Sequence, residues 1–364
     1  MSSTQNKHRI IFLDLLRAFA VFQMVQGHTV DAFLSDSYRN TDNVIYSVWY
    51  FMRGMTAPIF MFTAGTVFTY LFRLVKKPFK KNMRVLKGIK RGLLLIFLGY
   101  LLRYPTWNLV DFSDVSEYSL SVFFAVDVLQ LIGFSLFALL FLFYIAEKLN
   151  LSDYTVCSAA AFLIFILSPF FFTLDWDSIL PRLLAGYFYE DGGSVFPFFP
   201  WAGYVLSGGV LGSYLARNPM IFKSFKFSVY LAAIGLAFIV ASFGAENLSG
   251  LIYYTAEHNS ASISLILLRV GSVLLMCSIV SFISLKADSI PQFIILIGRN
   301  TLLIYVVHLV IIYGSAWNPG LYVFFEKSFT AWMTFIVAII MLGLMTLMVL
   351  MVNVFNIRNK QLVT

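Results

Sequence analysis

Residues 330–356, TAWMTFIVAIIMLGLMTLMVLMVNVFN, form a run of 27 residues that contains no charged side chain. An α-helix needs about 20 mostly apolar residues to cross the hydrocarbon core of a bilayer, so this run is long enough to do so. A soluble domain rarely exposes a continuous apolar surface of this size. The stretch therefore predicts a membrane-spanning helix.

The rest of the chain has the composition of a membrane protein. Its 364 residues are 60% hydrophobic and 12% charged, whereas soluble domains are about one quarter charged. Apolar runs of suitable length lie at residues 10–34, 45–72, 88–104, 120–146, 154–172, 196–216, 227–243, 261–285, 291–314 and 330–356. No long polar linker or internal repeat separates them. We predict an all-α polytopic membrane protein with a single domain over residues 1–364.

Lysine and arginine concentrate in alternate connections between these runs. The side that holds both ends of the chain carries 18 of the 26 Lys and Arg residues, nine of them within residues 73–91, and the other side carries four. Cytoplasmic loops of membrane proteins are enriched in Lys and Arg. The pattern predicts ten crossings with both termini in the cytoplasm. The same placement explains the net charge of +8, because Lys and Arg in cytoplasmic loops are attracted to anionic lipid head groups. We therefore predict no nucleic-acid partner.

Ionisable residues lie inside the predicted spans. A charge near the bilayer centre costs about 2.5–3.5 kcal/mol on insertion scales, so such residues usually pair or line a polar cavity. Eight of them, on at least five spans, predict a polar cavity in this protein. They are Asp14, Arg17, His28, Arg53, Asp127, Arg269, Arg299 and His308.

The spacing of these residues predicts two layers. Arg17 and His28 are eleven residues apart, about three helical turns, so both face one side of a helix at a separation of about 16 Å. Asp14, one turn before Arg17, can pair with it. Arg299 and His308 are nine residues apart and face one cavity only if their helix is broken. Soluble-type catalytic and metal motifs are absent, and with four histidines in the chain we predict no metal site.

Several blocks resemble the transmembrane acyltransferase superfamily. In chain order they are LDLLR at 13–17 with MVQGH at 24–28, RGMTAPIFMFTAG at 53–65, DVLQLIG at 127–133, FPWAG at 199–203 and GRNTLLIYVVH at 298–308. They are most similar to the bacterial members of the heparan-alpha-glucosaminide N-acetyltransferase-like family, and next to acyltransferase family 3. Ala18 stands where the family usually has Gly.

The resemblance implies an enzyme that moves an acyl group, usually acetyl, from cytoplasmic acetyl-CoA or another acyl-CoA to an acceptor across the membrane. It implies that His28 is the catalytic residue. The acceptor is expected to be a glycan or another hydroxyl or amine. The expected location is the bacterial inner membrane, and a homodimer is compatible with the sequence.

The ionisable residues suit such an enzyme. The inner layer of Arg17, Asp14 and Arg299, with Asn300, suits the phosphates of acyl-CoA, because guanidinium binds phosphate bidentately. In the outer layer His28 suits general base catalysis, oriented by Asp127 or by Asp31. Oxyanion or acceptor binding is expected from the remaining residues of that layer, Arg53, Arg269 and His308.

Two questions stay open at this level. His28 either deprotonates the acceptor for direct transfer or attacks the thioester and carries the acyl group itself. The alternative function is a transporter or flippase for a lipid or glycan, in which the same charges form a substrate pathway.

Overall fold

The computed structural model describes residues 11–109, 111–190, 193–218, 220–252, 260–286 and 290–363. Its helices in chain order are α1 (Ile11–Phe33), α2 (Val44–Leu74), α3 (Met83–Leu102), α4 (Glu117–Phe124), α5 (Val128–Lys148), α6 (Asp153–Phe171), α7 (Trp176–Ile179), α8 (Arg182–Ala185), α9 (Phe198–Arg217), α10 (Phe225–Ile252), α11 (Ile263–Lys286), α12 (Gln292–Arg299), α13 (Thr301–Tyr313), α14 (Tyr322–Phe325) and α15 (Ala331–Val363). Strands β1 (Gly314–Ser315) and β2 (Asn318–Pro319) form an antiparallel pair in which Gly314 is opposite Pro319.

The described helices confirm an all-α membrane protein. Six helical segments are long and apolar enough to cross a membrane, and a seventh is obtained if α12 and α13 are taken as one bent span. Eight of the ten predicted runs each coincide with one helix, whereas 120–146 contains α4 and α5 and 291–314 contains α12 and α13. However, α1, α3 and α9 are not among the segments that are long and apolar enough. Ten crossings and cytoplasmic termini therefore stay predictions.

The chain divides into two compact units. The first consists of Met1–Phe60 and Lys286–Thr364, and the second is Met61–Leu285. Helix α2 contributes residues to both units, because the division falls after Phe60. A single domain over residues 1–364 stays a prediction, and the two units are described separately below.

Helix α1 forms the centre of the first unit, where it packs against α12, α13 and α15. Its apolar residues Ala18, Val21, Val25 and Ala32 recur at helical spacing and join one buried cluster with side chains from these neighbours. Arg17 and His28, in contrast, are only partly buried. The apolar stripe thus holds α1 in place while the polar residues remain accessible.

Helices α1 and α12 approach each other closely at Gly298. A Cβ atom at this position would lie 2.3 Å from the backbone oxygen of Asp14. That distance is far below van der Waals contact, and a backbone atom cannot move aside as the tip of a side chain can. The absence of a side chain at Gly298 therefore brings α12 against the segment of α1 that carries Asp14 and Arg17.

We expect the Gly298→Ala substitution to lower the free energy of unfolding by about 1–3 kcal/mol, the usual range for overpacking a tight contact. Thermal unfolding in detergent measures the effect. Gly343→Ala in α15 is the matched control, since a Cβ atom there meets nothing within 4 Å. It should leave stability unchanged or raise it slightly through helix propensity. Equal melting temperatures for the two variants would contradict the proposed contact.

The predicted span at 291–314 is broken. Helices α12 and α13 meet at Asn300 with a bend of 78°. Asn300 ends α12, because its side-chain amide donates to the carbonyl oxygen of Leu296 at 2.8 Å, and it begins α13, because its own carbonyl accepts from Ile304. The regular helix that would place Arg299 and His308 on opposite faces is therefore not present. The nine-residue spacing therefore does not prevent Arg299 and His308 from facing one cavity.

In the second unit, small residues allow the remaining part of α2 to contact α9 closely. A Cβ atom at Gly208 would lie 1.9 Å from the carbonyl oxygen of Phe62, and one at Gly65 would lie 1.9 Å from that of Val205. Such close backbone approach through small residues is typical of helices packed in membranes. Around this pair, α6 packs against α9 and α3 against α5.

Candidate functional site

The side chain of His28 lies next to α13 in the first unit. The Tyr313 hydroxyl is 3.5 Å from His28 Nδ1 and donates to the His28 carbonyl oxygen at 3.4 Å. The two rings meet edge to face with centroids 5.8 Å apart. On the same helix, the ring of His308 lies 5.4 Å from that of His28. His28 is thus held between two aromatic side chains that are 285 and 280 residues away in sequence.

His308 is the fully buried member of this histidine pair, with 0% exposure. Its Nδ1 is 2.7 Å from the carbonyl oxygen of Ile304. Since a carbonyl oxygen only accepts, Nδ1 carries a proton, and Nε2 of the neutral ring is left as an acceptor. Among the described residues, Nε2 has no hydrogen-bond partner. His308 therefore offers a buried acceptor on the ring that packs against His28.

An ion pair adjoins His28. Asp31, less than one turn further along α1, accepts hydrogen bonds from Arg53 of α2 at 2.5 and 2.8 Å. The Cγ atom of Arg53 passes over Gly27, where a Cβ atom would lie 3.6 Å away. The Arg53 side chain is 44% exposed and that of Asp31 is 22% exposed. Arg53 thus contacts the two residues Gly27 and Asp31 that flank His28 on α1, and part of its surface is accessible to a ligand.

Asp127, the other carboxylate predicted to orient His28, lies in the second unit. Its Oδ2 accepts from Arg103 at 2.8 Å, and its Oδ1 caps the first residue of α5, Val128, at 2.7 Å. Both oxygens therefore have partners within that unit. The pair with Arg103 is not predictable from the sequence, because Arg103 lies in a connection between two predicted spans. Catalysis by Asp127 stays a prediction.

The other end of the α1 face carries Arg17. Its guanidinium donates to the hydroxyl oxygen of Thr301 at 3.1 Å, 284 residues later in the chain. Thr301 is the first residue of α13 and is 6% exposed. A helix begins with backbone N–H groups that have no partner inside the helix, and its dipole favours negative charge there. Arg17 and the start of α13 together form a locally positive region.

The remaining residues predicted for the inner layer cluster at the same break. The backbone of Asp14 lies beneath Gly298. Arg299 is exposed, and the amide nitrogen of Asn300 is used to end α12. The structure thus brings Asp14, Arg17, Arg299 and Asn300 to one segment of the first unit. Their contact with a ligand stays a prediction.

Arg269 belongs to the second unit. Its guanidinium lies over the ring of Trp201, 4.8 Å from the centroid. Among the described residues, its Nε and Nη1 atoms have no hydrogen-bond partner. Oxyanion or acceptor binding by Arg269 stays a prediction.

Sequence reasoning did not identify Thr301 or Tyr313 as site residues. Both are ordinary polar residues within an apolar run, and no spacing on one helix connects them with Arg17 or His28. They are brought to Arg17 and His28 because α1 and α13 run parallel to each other, and this packing is seen only in the folded structure. In the part of the chain that the structure describes, no group of three His, Cys, Asp or Glu side chains could hold a metal ion.

Comparison with known proteins identifies the family of the chain. The chain matches the acyltransferase domain of acyltransferase family 3 over residues 10–353, nearly its whole length. No curated protein is significantly similar to it. The match confirms one of the two branches that the sequence resembles, whereas the closer likeness to the heparan-alpha-glucosaminide N-acetyltransferase-like branch is not shown by it. The chain belongs to acyltransferase family 3 and is a membrane acyltransferase.

Proposed function

We propose that this protein transfers an acyl group, usually acetyl, from acyl-CoA to a hydroxyl or amine of an acceptor, with His28 as general base. The observation that carries the proposal is the arrangement along α1. Arg17 and His28 lie on one face, about 16 Å apart, and each contacts α13. A cation at one end and an imidazole at the other suit a long donor with phosphates at one end and a thioester at the other.

The donor's phosphates would bind at the break between α12 and α13. Arg17 offers a planar guanidinium, and the start of α13 adds backbone N–H groups and a favourable dipole. Arg299 is the second phosphate contact in this proposal, and Asp14 orients Arg17. The side-chain nitrogen of Asn300 bonds to the Leu296 carbonyl, so only its side-chain oxygen is left to contact the donor.

At the other end, the imidazole of His28 takes a proton from the acceptor hydroxyl or amine. The acceptor oxygen or nitrogen then attacks the thioester carbon, and a tetrahedral oxyanion forms. When the carbon–sulfur bond breaks, His28 returns the proton to the sulfur, so CoA leaves as a free thiol. The direct route is preferred here, and attack by His28 itself to form an acyl-imidazole is the alternative.

The neighbours of His28 support this role. Asp31 is favoured over Asp127 as the orienting carboxylate, because it lies on α1 and belongs to the same unit as His28. Arg53, which pairs with Asp31 three residues after His28, would stabilise the oxyanion with its positive charge. His308 supports His28 by ring packing and by its buried Nε2 acceptor.

The acceptor is proposed to be a glycan on the external side of the bacterial inner membrane. The support is the charge asymmetry of the connections, which orients α1 outward so that His28 lies toward its external end. An external acceptor and a cytoplasmic donor explain why the two polar layers are separated along one helix. Acylation of a sugar hydroxyl or of an amino sugar is compatible with the imidazole chemistry.

The test is free-thiol release by the detergent-purified protein with acetyl-CoA and a panel of sugar and amino-sugar acceptors. We expect release that requires both an acceptor and His28, with the His28→Ala variant still binding CoA. Release without any acceptor would instead indicate hydrolysis or an acyl-enzyme, which mass spectrometry separates. No binding or turnover of acyl-CoA across the panel would contradict the donor assignment and favour the transport alternative.

A further inference from the structure

The second unit contains a cavity that the proposed reaction does not use. Its volume is about 700 Å³, and residues of α2, α6, α9, α10 and α11 line it. Most of the lining is apolar, including Phe165, Leu211, Ile234, Ile266 and Val270. The lining residues Phe162 and Ile234 are 62% and 49% exposed, so the cavity opens on the side of the helices. In a bilayer this opening would face the hydrocarbon of the membrane.

One end of the cavity is polar, and a cation lies beside it. Tyr154, Tyr214 and Tyr230 line it where α9 ends and where α6 and α10 begin. The guanidinium of Arg217, which is exposed, lies over the Tyr154 ring at 4.5 Å from the centroid. Tyrosine is enriched at the boundary between membrane and water. An exposed cation with hydroxyl groups beside it suits an anionic headgroup at this depth.

The length of the cavity matches one leaflet of a bilayer. Along α6 its lining runs from Tyr154 to Ile166, which corresponds to about 18 Å of helix. Half of the hydrocarbon core is about 15 Å thick. No Asp, Glu, Lys or Arg side chain belongs to the described lining. A polar sugar or a nucleotide would lose its hydrogen bonds in such a cavity, whereas an acyl chain would lose none.

We propose that this cavity binds an anionic phospholipid, with its phosphate on Arg217 and one acyl chain between α6, α9, α10 and α11. The guanidinium binds the phosphate with charge-assisted hydrogen bonds. The charge pattern of the connections assigns the Arg217 end to the cytoplasmic side, so the lipid would come from the cytoplasmic leaflet. This site is independent of the proposed acyl transfer.

Native mass spectrometry of the detergent-purified protein tests the proposal, with dioleoylphosphatidylglycerol and dioleoylphosphatidylcholine added in turn. Arg217→Gln removes the phosphate contact, and Lys148→Gln, an equal loss of charge at the end of α5 outside the cavity, is its control. Ser158→Trp fills the cavity, and Ala159→Trp on the neighbouring exposed position, which does not line it, is the matched control.

We expect the unmodified protein and both controls to retain phosphatidylglycerol in preference to phosphatidylcholine. Arg217→Gln should weaken its binding by about tenfold, the loss expected for a hydrogen bond to a charged group. Ser158→Trp should weaken it by at least as much, because the indole occupies the space of the acyl chain. Equal binding by all variants, or equal binding of the two lipids, would overturn the proposal. Preferential retention of palmitoyl-CoA would also overturn it. So would a protein that carries no lipid but forms a dimer, if Ser158→Trp dissociated that dimer.

Discussion

The His28→Ala variant is expected to transfer acyl groups with a kcat about 10²–10⁴-fold below that of the unmodified protein, the usual contribution of a general base. The loss follows because the neighbouring groups are poorly placed to replace the His28 imidazole. Asp31 is paired with Arg53, and His308, whose Nε2 is an acceptor, is 0% exposed and so is closed to the acceptor substrate. Steady-state kinetics of free-thiol release with a saturating acceptor measures the effect.

The His28→Gln variant is the control for this prediction. Glutamine keeps a polar side chain that can contact the Tyr313 hydroxyl, but it has no basic nitrogen. It should melt at the temperature of the unmodified protein, bind CoA normally and be as inactive as His28→Ala. If His28→Gln instead retained substantial activity, His28 would be a positioning residue, and general base catalysis by its imidazole would be excluded.

The second large effect is expected at the donor end of α1. Arg17→Gln should raise the KM for acyl-CoA about 10- to 100-fold, which is the loss of one or two charge-assisted contacts to phosphate. Its kcat at saturating donor should change little, because Arg17 lies about 16 Å from His28 along α1. Kinetics at varied acyl-CoA, together with CoA binding by calorimetry, measures the two quantities separately.

Two variants distinguish a phosphate contact from a structural one. Thr301→Val removes the hydroxyl that holds Arg17, so it should raise the KM by a smaller factor than Arg17→Gln. Lys148→Gln changes the net charge equally at a position outside the proposed donor site, and it should leave the KM unchanged. An unchanged KM for Arg17→Gln, with a fall in thermal stability, would assign Arg17 a purely structural role.

The positions of the helices were largely predictable because each depends on a local property. A run of about 20 apolar residues is helical in a membrane whatever its neighbours, since its backbone groups must bond internally. The break at Asn300 was not predictable in the same way. An asparagine within residues 291–314 lowers the apolarity only slightly, and the 78° bend depends on how α12 packs against α1 at Gly298. That contact joins segments far apart in sequence.

The candidate site also contains residues that the sequence predicts and residues that it does not. Arg17 and His28 were paired from their spacing, because both lie on one continuous helix whose geometry is known in advance. Thr301 and Tyr313 could not be paired with them, because only tertiary packing brings α13 alongside α1. Asp127 shows the opposite case: its residue type and depth suited a catalytic carboxylate, while its partner in the structure is Arg103, which follows the end of α3.

The central claim is that His28 catalyses acyl transfer from acyl-CoA on one side of the membrane to an acceptor on the other. The most direct measurement uses proteoliposomes with radiolabelled acetyl-CoA supplied on one side and a sugar acceptor enclosed on the other. We expect label to appear on the acceptor with the unmodified protein and not with His28→Ala. Equal labelling by both proteins, or acceptor labelling only when donor and acceptor share one side, would contradict the claim.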